Sequence, residues 1–150
     1  MPFLKNSYII DGNCKYNIKN KEIYTFVDFE HIFNNLDDST KNKLSLNKEH
    51  CDAILVSNNS VEIIEMSMNT DRDLLEFLNK FEYCINFLEY LNKNRISLFQ
   101  EEIKLVTVIN PNKLMEFYQY SKNFKNLLKH YKKNILLKYD PQLVPISCED

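Results

Sequence analysis

Residues 51–67 read Cys-Asp-Ala-Ile-Leu-Val-Ser-Asn-Asn-Ser-Val-Glu-Ile-Ile-Glu-Met-Ser, two short apolar runs around a polar centre. β-Branched runs separated by Asn-Asn predict strand, tight turn, strand. With Asn58 and Asn59 in the turn, Val56 faces Val61, Ile54 faces Ile63 and Asp52 faces Glu65. Two carboxylates then share one face, with Cβ atoms roughly 5 Å apart. The opposite face carries Ala53, Leu55, Ile64 and Met66, so both sides of the hairpin are largely covered. Like charges set directly opposite destabilise a sheet, and a carboxylate buried on both sides is costly unless it is paired or coordinated. A divalent cation between Asp52 and Glu65 is one arrangement that relieves that cost.

The chain has 150 residues, enough for a single domain (1–150) with a real core. Its only glycine is Gly12. Gly-rich phosphate loops and Gly-flanked nucleophile elbows are thereby excluded, and with them dinucleotide-binding folds, P-loop nucleotidases and Ser hydrolases of that type. A net charge of −2 offers nucleic acid no global attraction, so any basic surface has to be local. Cys14, Cys51, Cys84 and Cys148 form no Cys-x-x-Cys pair and no zinc-ligand spacing. Two of them lie in apolar segments and read as buried, reduced thiols. The first residues lack the apolar core of a signal peptide, and no apolar run approaches a membrane span. The expectation is a cytoplasmic protein with no membrane partner.

The N-terminal segment, residues 1–27, holds a hairpin over 7–18 turning at Asp11-Gly12, then a strand or helix approach over Glu22–Val27. Phe29, Ile32, Phe33 and Leu36 predict a helix over 28–36 capped by Asp28. Residues 37–50 are polar, with a short strand over Lys43–Leu46. Beyond the central hairpin, a stripe running from Leu74 through Phe77, Phe81 and Ile85 to Leu91 predicts a long helix over 71–93, capped by Thr70 or Asp71. Ile103–Ile109 reads as a buried strand. Asn110-Pro111 ends it and starts a helix running to about residue 133. Ile135–Tyr139 reads as a last strand, and residues 140–150, with Pro141 and Pro145, as a surface tail. Phe77, Phe81, Phe117 and Phe124 read as core. The order predicts an α/β chain with a central mixed sheet flanked by helices.

The same hairpin register sets His50 opposite Ser67, so His50, Asp52, Glu65 and Ser67 form one patch suited to Mg²⁺ or Mn²⁺. An Asp beginning one strand and a Glu-x-Lys near the end of the next form the core motif of the PD-(D/E)XK, or restriction-endonuclease-like, nucleases. The chain resembles that plan over about residues 28–139, with Asp52 as the motif Asp, Glu65 as the motif Glu and Glu30 as the acidic residue of the preceding helix. Cys51 stands where Pro often precedes the Asp, and Ser67 stands where the catalytic lysine belongs. The resemblance implies a catalytic set of Asp52, Glu65, Ser67 and Glu30. It also implies an Mg or Mn ion held by Asp52, Glu65, the Met66 carbonyl and His50. The nearest cations to replace the missing lysine are Arg72 and Lys80. Lys80 falls on the polar side of its helix, away from the Leu74–Phe81–Ile85 stripe, which argues against it.

Lys122, Lys125, Lys129, Lys132 and Lys133, interleaved with tyrosines, mark a cationic face that fits a phosphodiester. Two function classes follow. The first is a metal-dependent nuclease-like protein with a nucleic-acid partner. The second is a non-catalytic interaction protein on the same fold, such as an inhibitor, immunity factor or assembly subunit, with a protein partner. A nucleic-acid-binding subunit using only the basic helix is a third.

Overall fold

In a computed structural model of the chain, residues 3–5, 7–18, 25–27, 35, 37–39, 51–56, 60–93 and 102–149 are described. The helix expected over 28–36 falls outside them apart from Asn35, and the strand expected over Lys43–Leu46 falls outside them entirely. The architecture is mixed α/β, with helices packed on a mixed sheet.

Strands β1 (Phe3–Lys5), β2 (Tyr8–Asp11) and β3 (Cys14–Asn17) form an antiparallel sheet. Asp11 pairs with Cys14, so the turn residues are Gly12 and Asn13 rather than Asp11 and Gly12. Gly12 adopts φ +56°, where the lack of a Cβ removes the usual steric cost.

The main sheet has the order β4-β5-β6-β7-β8, with β4 (Thr25–Val27), β5 (Ala53–Val56), β6 (Ser60–Ser67), β7 (Glu102–Ile109) and β8 (Gln142–Ser147). The first three strands are antiparallel neighbours, and β6, β7 and β8 run parallel. The central hairpin has the expected register: Val56 pairs with Val61 and Ile54 with Ile63.

Helix α1 (Leu74–Lys93) crosses from β6 to β7. Its buried Leu74, Phe77, Leu78, Phe81, Cys84, Ile85 and Leu88 lie against Ile54, Val61, Ile63 and Leu105 of the sheet. Its cap is Asp73, whose Oδ1 accepts the Glu76 N–H at 3.0 Å, rather than Thr70 or Asp71.

After β7, Asn110 accepts the Asn112 N–H at 2.9 Å and starts the 3₁₀ turn Pro111–Lys113. The single helix expected to follow is broken into α2 (Leu114–Lys122) and α3 (Phe124–His130). The break falls at Asn123 (φ −128°), whose Oδ1 accepts from the Asn126 side chain at 2.7 Å. It allows Phe117, Phe124 and Leu128 all to reach one core.

Lys132, at φ +57°, closes α3: the Lys133 N–H reaches the Leu128 carbonyl and the Lys132 N–H the Lys129 carbonyl. Residues Asn134–Tyr139 then form α4, not a strand. Three consecutive apolar residues do not distinguish the two states. Here the neighbouring edge of β7 is occupied by β8, while Leu136 is buried and Tyr139 donates to Glu89 of α1 at 2.8 Å. The segment expected to be a surface tail is β8 itself. Its position at the sheet edge accommodates Pro145, which lacks an N–H.

The small sheet covers the face opposite the helices. Ile9, Cys14 and Tyr16 pack with Ala53, Leu55, Ile64, Met66, Val106 and Val108. A disulfide joins Cys14 to Cys148, tying β3 to the end of β8, and a Lys15–Glu149 bridge lies beside it. Cys51 and Cys84 are buried and outside any disulfide, whereas the Cys14–Cys148 pair was not foreseen. A reduced compartment inferred from cysteine usage therefore finds no support in that pair. Among the described residues no helix is long and apolar enough to cross a membrane.

The disulfide closes a loop spanning a sequence separation of 134 residues. Its reduction, or the Cys14→Ser/Cys148→Ser double variant, is expected to cost about 2–5 kcal/mol of stability. Urea unfolding with and without a reducing agent measures this, and coincident curves would show that the bond does not tie the two layers together.

Candidate functional site

The β5–β6 ladder ends at Ala53, which pairs with Ile64. Asp52 then leaves the ladder. Its N–H still donates to the Ile64 carbonyl at 2.9 Å, but its carboxylate Oδ2, rather than a main-chain oxygen, accepts the Met66 N–H at 2.7 Å. Asp52 and Glu65 are therefore not a simple facing pair, although the two carboxylates are brought into each other's field. Burial pushes the Asp52 carboxyl up to about 8, and the Glu65 charge adds to the rise.

Glu65, near the end of β6, is 1% exposed. Its Oε1 receives two cations: Lys80 Nζ at 3.1 Å and Arg72 Nη1 at 3.1 Å. Burial still holds the Glu65 carboxyl above its usual range, while Lys80 and Arg72 pull it down. Arg72 is fixed in turn by Glu76, 3.5 Å from its Nε, and by the Phe77 ring, whose centroid is 4.4 Å from its Cζ.

Lys80 is thus the correction to the sequence expectation. It lies on the polar side of α1 and nevertheless reaches the sheet, because a lysine stem can run along apolar surface and deliver its ammonium at a distance. The spacing Arg72, Glu76, Lys80, every fourth residue, places all three along one flank of the helix, and that signal was available in the sequence. A cleft of about 470 Å³ is lined by Arg72, Glu76, Asn79 and Lys80.

The other expected site residues fare differently. Ser67 Oγ accepts the Asn69 N–H at 3.1 Å and so stabilises the turn after β6. Met66 meets Asp52 through its N–H, a donor, and its side chain packs in the opposite core. His50 and Glu30 lie outside the described residues. Lys122, Lys125, Lys129 and Lys132 are exposed. Lys122 lies over the Tyr118 ring, 4.8 Å from its centroid. Lys133 instead turns inward, bonding Asn79 of the cleft at 2.5 Å and pairing with Glu82 at 3.5 Å.

Glu65 Oε2, Arg72 Nη2 and Thr107 Oγ1 are buried and make no hydrogen bond among the described residues. No cluster of three His, Cys, Asp or Glu side chains placed to hold a metal occurs among them either. Two carboxylates remain as candidate ligands, Asp52 and Glu65. Their oxygens are the donor type a hard dication prefers, and Glu65 Oε2 is a buried acceptor with no hydrogen bond among the described residues.

The folded state holds the Asp52 proton up to about pH 8, whereas an unfolded Asp releases it near about 3.9. Between these values the folded state binds the extra proton. Stability therefore falls as pH rises through that window, by up to about 1.4 kcal/mol per pH unit from this group. Asp52→Asn can still accept the Met66 N–H and removes this slope. In urea unfolding with a chelator present, it should stabilise the protein more at about pH 8 than at about pH 5. Equal effects at both would contradict a proton on Asp52.

Comparison with protein-family models, curated proteins and solved structures gives no match to this chain.

Proposed function

We propose that the protein is a divalent-cation-dependent nuclease acting on nucleic-acid phosphodiesters, on the restriction-endonuclease-like plan. The observation that carries this reading is Lys80 Nζ, 3.1 Å from Glu65 Oε1. The resemblance calls for a lysine beside the motif Glu, to orient water and stabilise negative charge. Ser67 cannot do this, and α1 supplies the ammonium from the other side of the same carboxylate.

The element order supports the reading. Strands β4, β5 and β6 run antiparallel, α1 follows, and β7 returns parallel to β6. Asp52 precedes β5 and Glu65 stands near the end of β6, where the motif places its acids. Asp52 and Glu65 would hold Mg²⁺ or Mn²⁺, which would supply Lewis-acid activation of water and of the phosphodiester. Lys80 and Arg72 hold Glu65 in a fixed orientation and set positive charge beside the bond to be cut. The exposed Lys122, Lys125, Lys129 and Lys132 supply phosphate contacts, and Lys133, through Asn79, connects that face to the cleft.

The second reading, a non-catalytic interaction protein, is favoured by one feature. Met115 is 70% exposed and Tyr118 50% exposed on α2, an apolar surface suited to a protein partner.

Cleavage of labelled single- and double-stranded DNA and RNA with Mn²⁺ separates the two. The nuclease reading expects cleavage by the wild type and none by Glu65→Ala. It expects Lys80→Ala to lose about 10²-fold or more in kcat, with Lys80→Arg retaining part of the rate. Absence of cleavage of every substrate, in both Mg²⁺ and Mn²⁺, would sink it in favour of the interaction protein.

A further inference from the structure

Thr107 stands toward the C-terminal end of β7 and is paired in register with Glu65 on the parallel neighbour β6. Side chains of such partners project to the same face, with their strands roughly 4.8 Å apart. That face is otherwise apolar on β7. Leu105 and Ile109, two residues to either side, belong to the helix-side core, as does Ile63 beside Glu65 on β6. Thr107 is 0% exposed, and its Oγ1 makes no hydrogen bond among the described residues. A valine would fill the same space without burying a hydroxyl, so this oxygen requires an explanation. On the paired residue, Glu65 Oε2 is also buried and makes no hydrogen bond among the described residues, since Lys80 and Arg72 both bind Oε1.

We propose that Thr107 is a third protein oxygen ligand of the divalent-cation site, acting with Glu65 Oε2 and the Asp52 carboxylate. The proposal rests on the metal-dependent reading above and specifies its ligand set. One oxygen from Asp52, just before β5, and one each from β6 and β7 then meet one ion. A hydroxyl oxygen is a hard donor of the kind Mg²⁺ and Mn²⁺ accept. The absence of a third His, Cys, Asp or Glu ligand among the described residues is then accounted for, because the third ligand is neutral. Arg72 Nη2, a donor, cannot serve as a ligand to the cation.

Binding of Mn²⁺ alone, measured by titration calorimetry and by electron paramagnetic resonance, tests this without any substrate. The wild type should bind one ion. Thr107→Val should bind it about tenfold or more weakly, with thermal stability unchanged or raised, while Thr107→Ser stays within about threefold of the wild type. Thr107→Ala, which removes the same oxygen, should match Thr107→Val in affinity and serves if the valine variant fails to fold. A purely structural threonine would lower stability on substitution and leave the affinity alone. Wild-type affinity in Thr107→Val or Thr107→Ala overturns the assignment while leaving the Asp52–Glu65 site standing. No Mn²⁺ binding by the wild type overturns both.

Discussion

Glu65 is a carboxylate on a strand covered on both faces, with helices on one side and the small sheet on the other. Removing such a charge from water costs several kcal/mol unless other groups answer it. The answer comes from one flank of α1: Arg72, just before the helix, and Lys80, two turns into it, both meet the same oxygen. Much of the surrounding arrangement follows from that contact. Arg72 lies over Phe77, Phe77 meets Phe117 edge-to-face at 5.3 Å, and Phe117 anchors α2. The position of the helical layer over the carboxyl end of β6 is thus set by an electrostatic requirement of the sheet as well as by its apolar stripe.

The two faces of β6 treat their acids differently. On the small-sheet side, Glu62 accepts from the Tyr16 hydroxyl at 2.9 Å, a neutral donor from β3. On the helix side, Glu65 meets two full cations on one oxygen, and Asp52 beside it meets a main-chain N–H. Concentrating positive charge on Oε1 leaves Glu65 Oε2 as a buried acceptor without a hydrogen bond among the described residues. A protein under selection for stability alone gains nothing from that asymmetry, since an apolar isostere would serve as well. Buried groups with strongly shifted protonation beside an open cleft are characteristic of functional sites. The Cys14–Cys148 bond and the small sheet cover the opposite face, while the cleft on the α1 side is lined by the two cations that meet Glu65.

The hairpin register was legible because period-2 alternation around Asn-Asn leaves one pairing that keeps both faces covered. The long helix was legible from its stripe. Three features were not. Asn123 breaks the helix after β7, and the residues on either side continue a helical pattern that conceals it. The αL cap at Lys132 falls on a residue with no sequence signature for that conformation, and Asp140 does the same after α4. Strand β8 was hidden by Pro141 and Pro145, which read as tail until the edge position is known. Among the candidate residues, Asp52 and Glu65 were singled out from strand geometry. Lys80 was set aside because helix-face reasoning follows the Cα position and not the reach of a four-carbon stem. Thr107 could be placed only once the parallel register of β6 and β7 was known, since nothing local marks it.

The central claim is that Asp52 and Glu65, with positive charge from α1 at their side, form a site for one divalent cation. Anomalous diffraction at the manganese edge from crystals grown with Mn²⁺ tests it most directly. The account predicts a single strong peak within about 2.0–2.6 Å of carboxylate oxygens of both residues, with Lys80 still beside Glu65. A map with no peak there, and Glu65 bound only by Lys80 and Arg72, would contradict it.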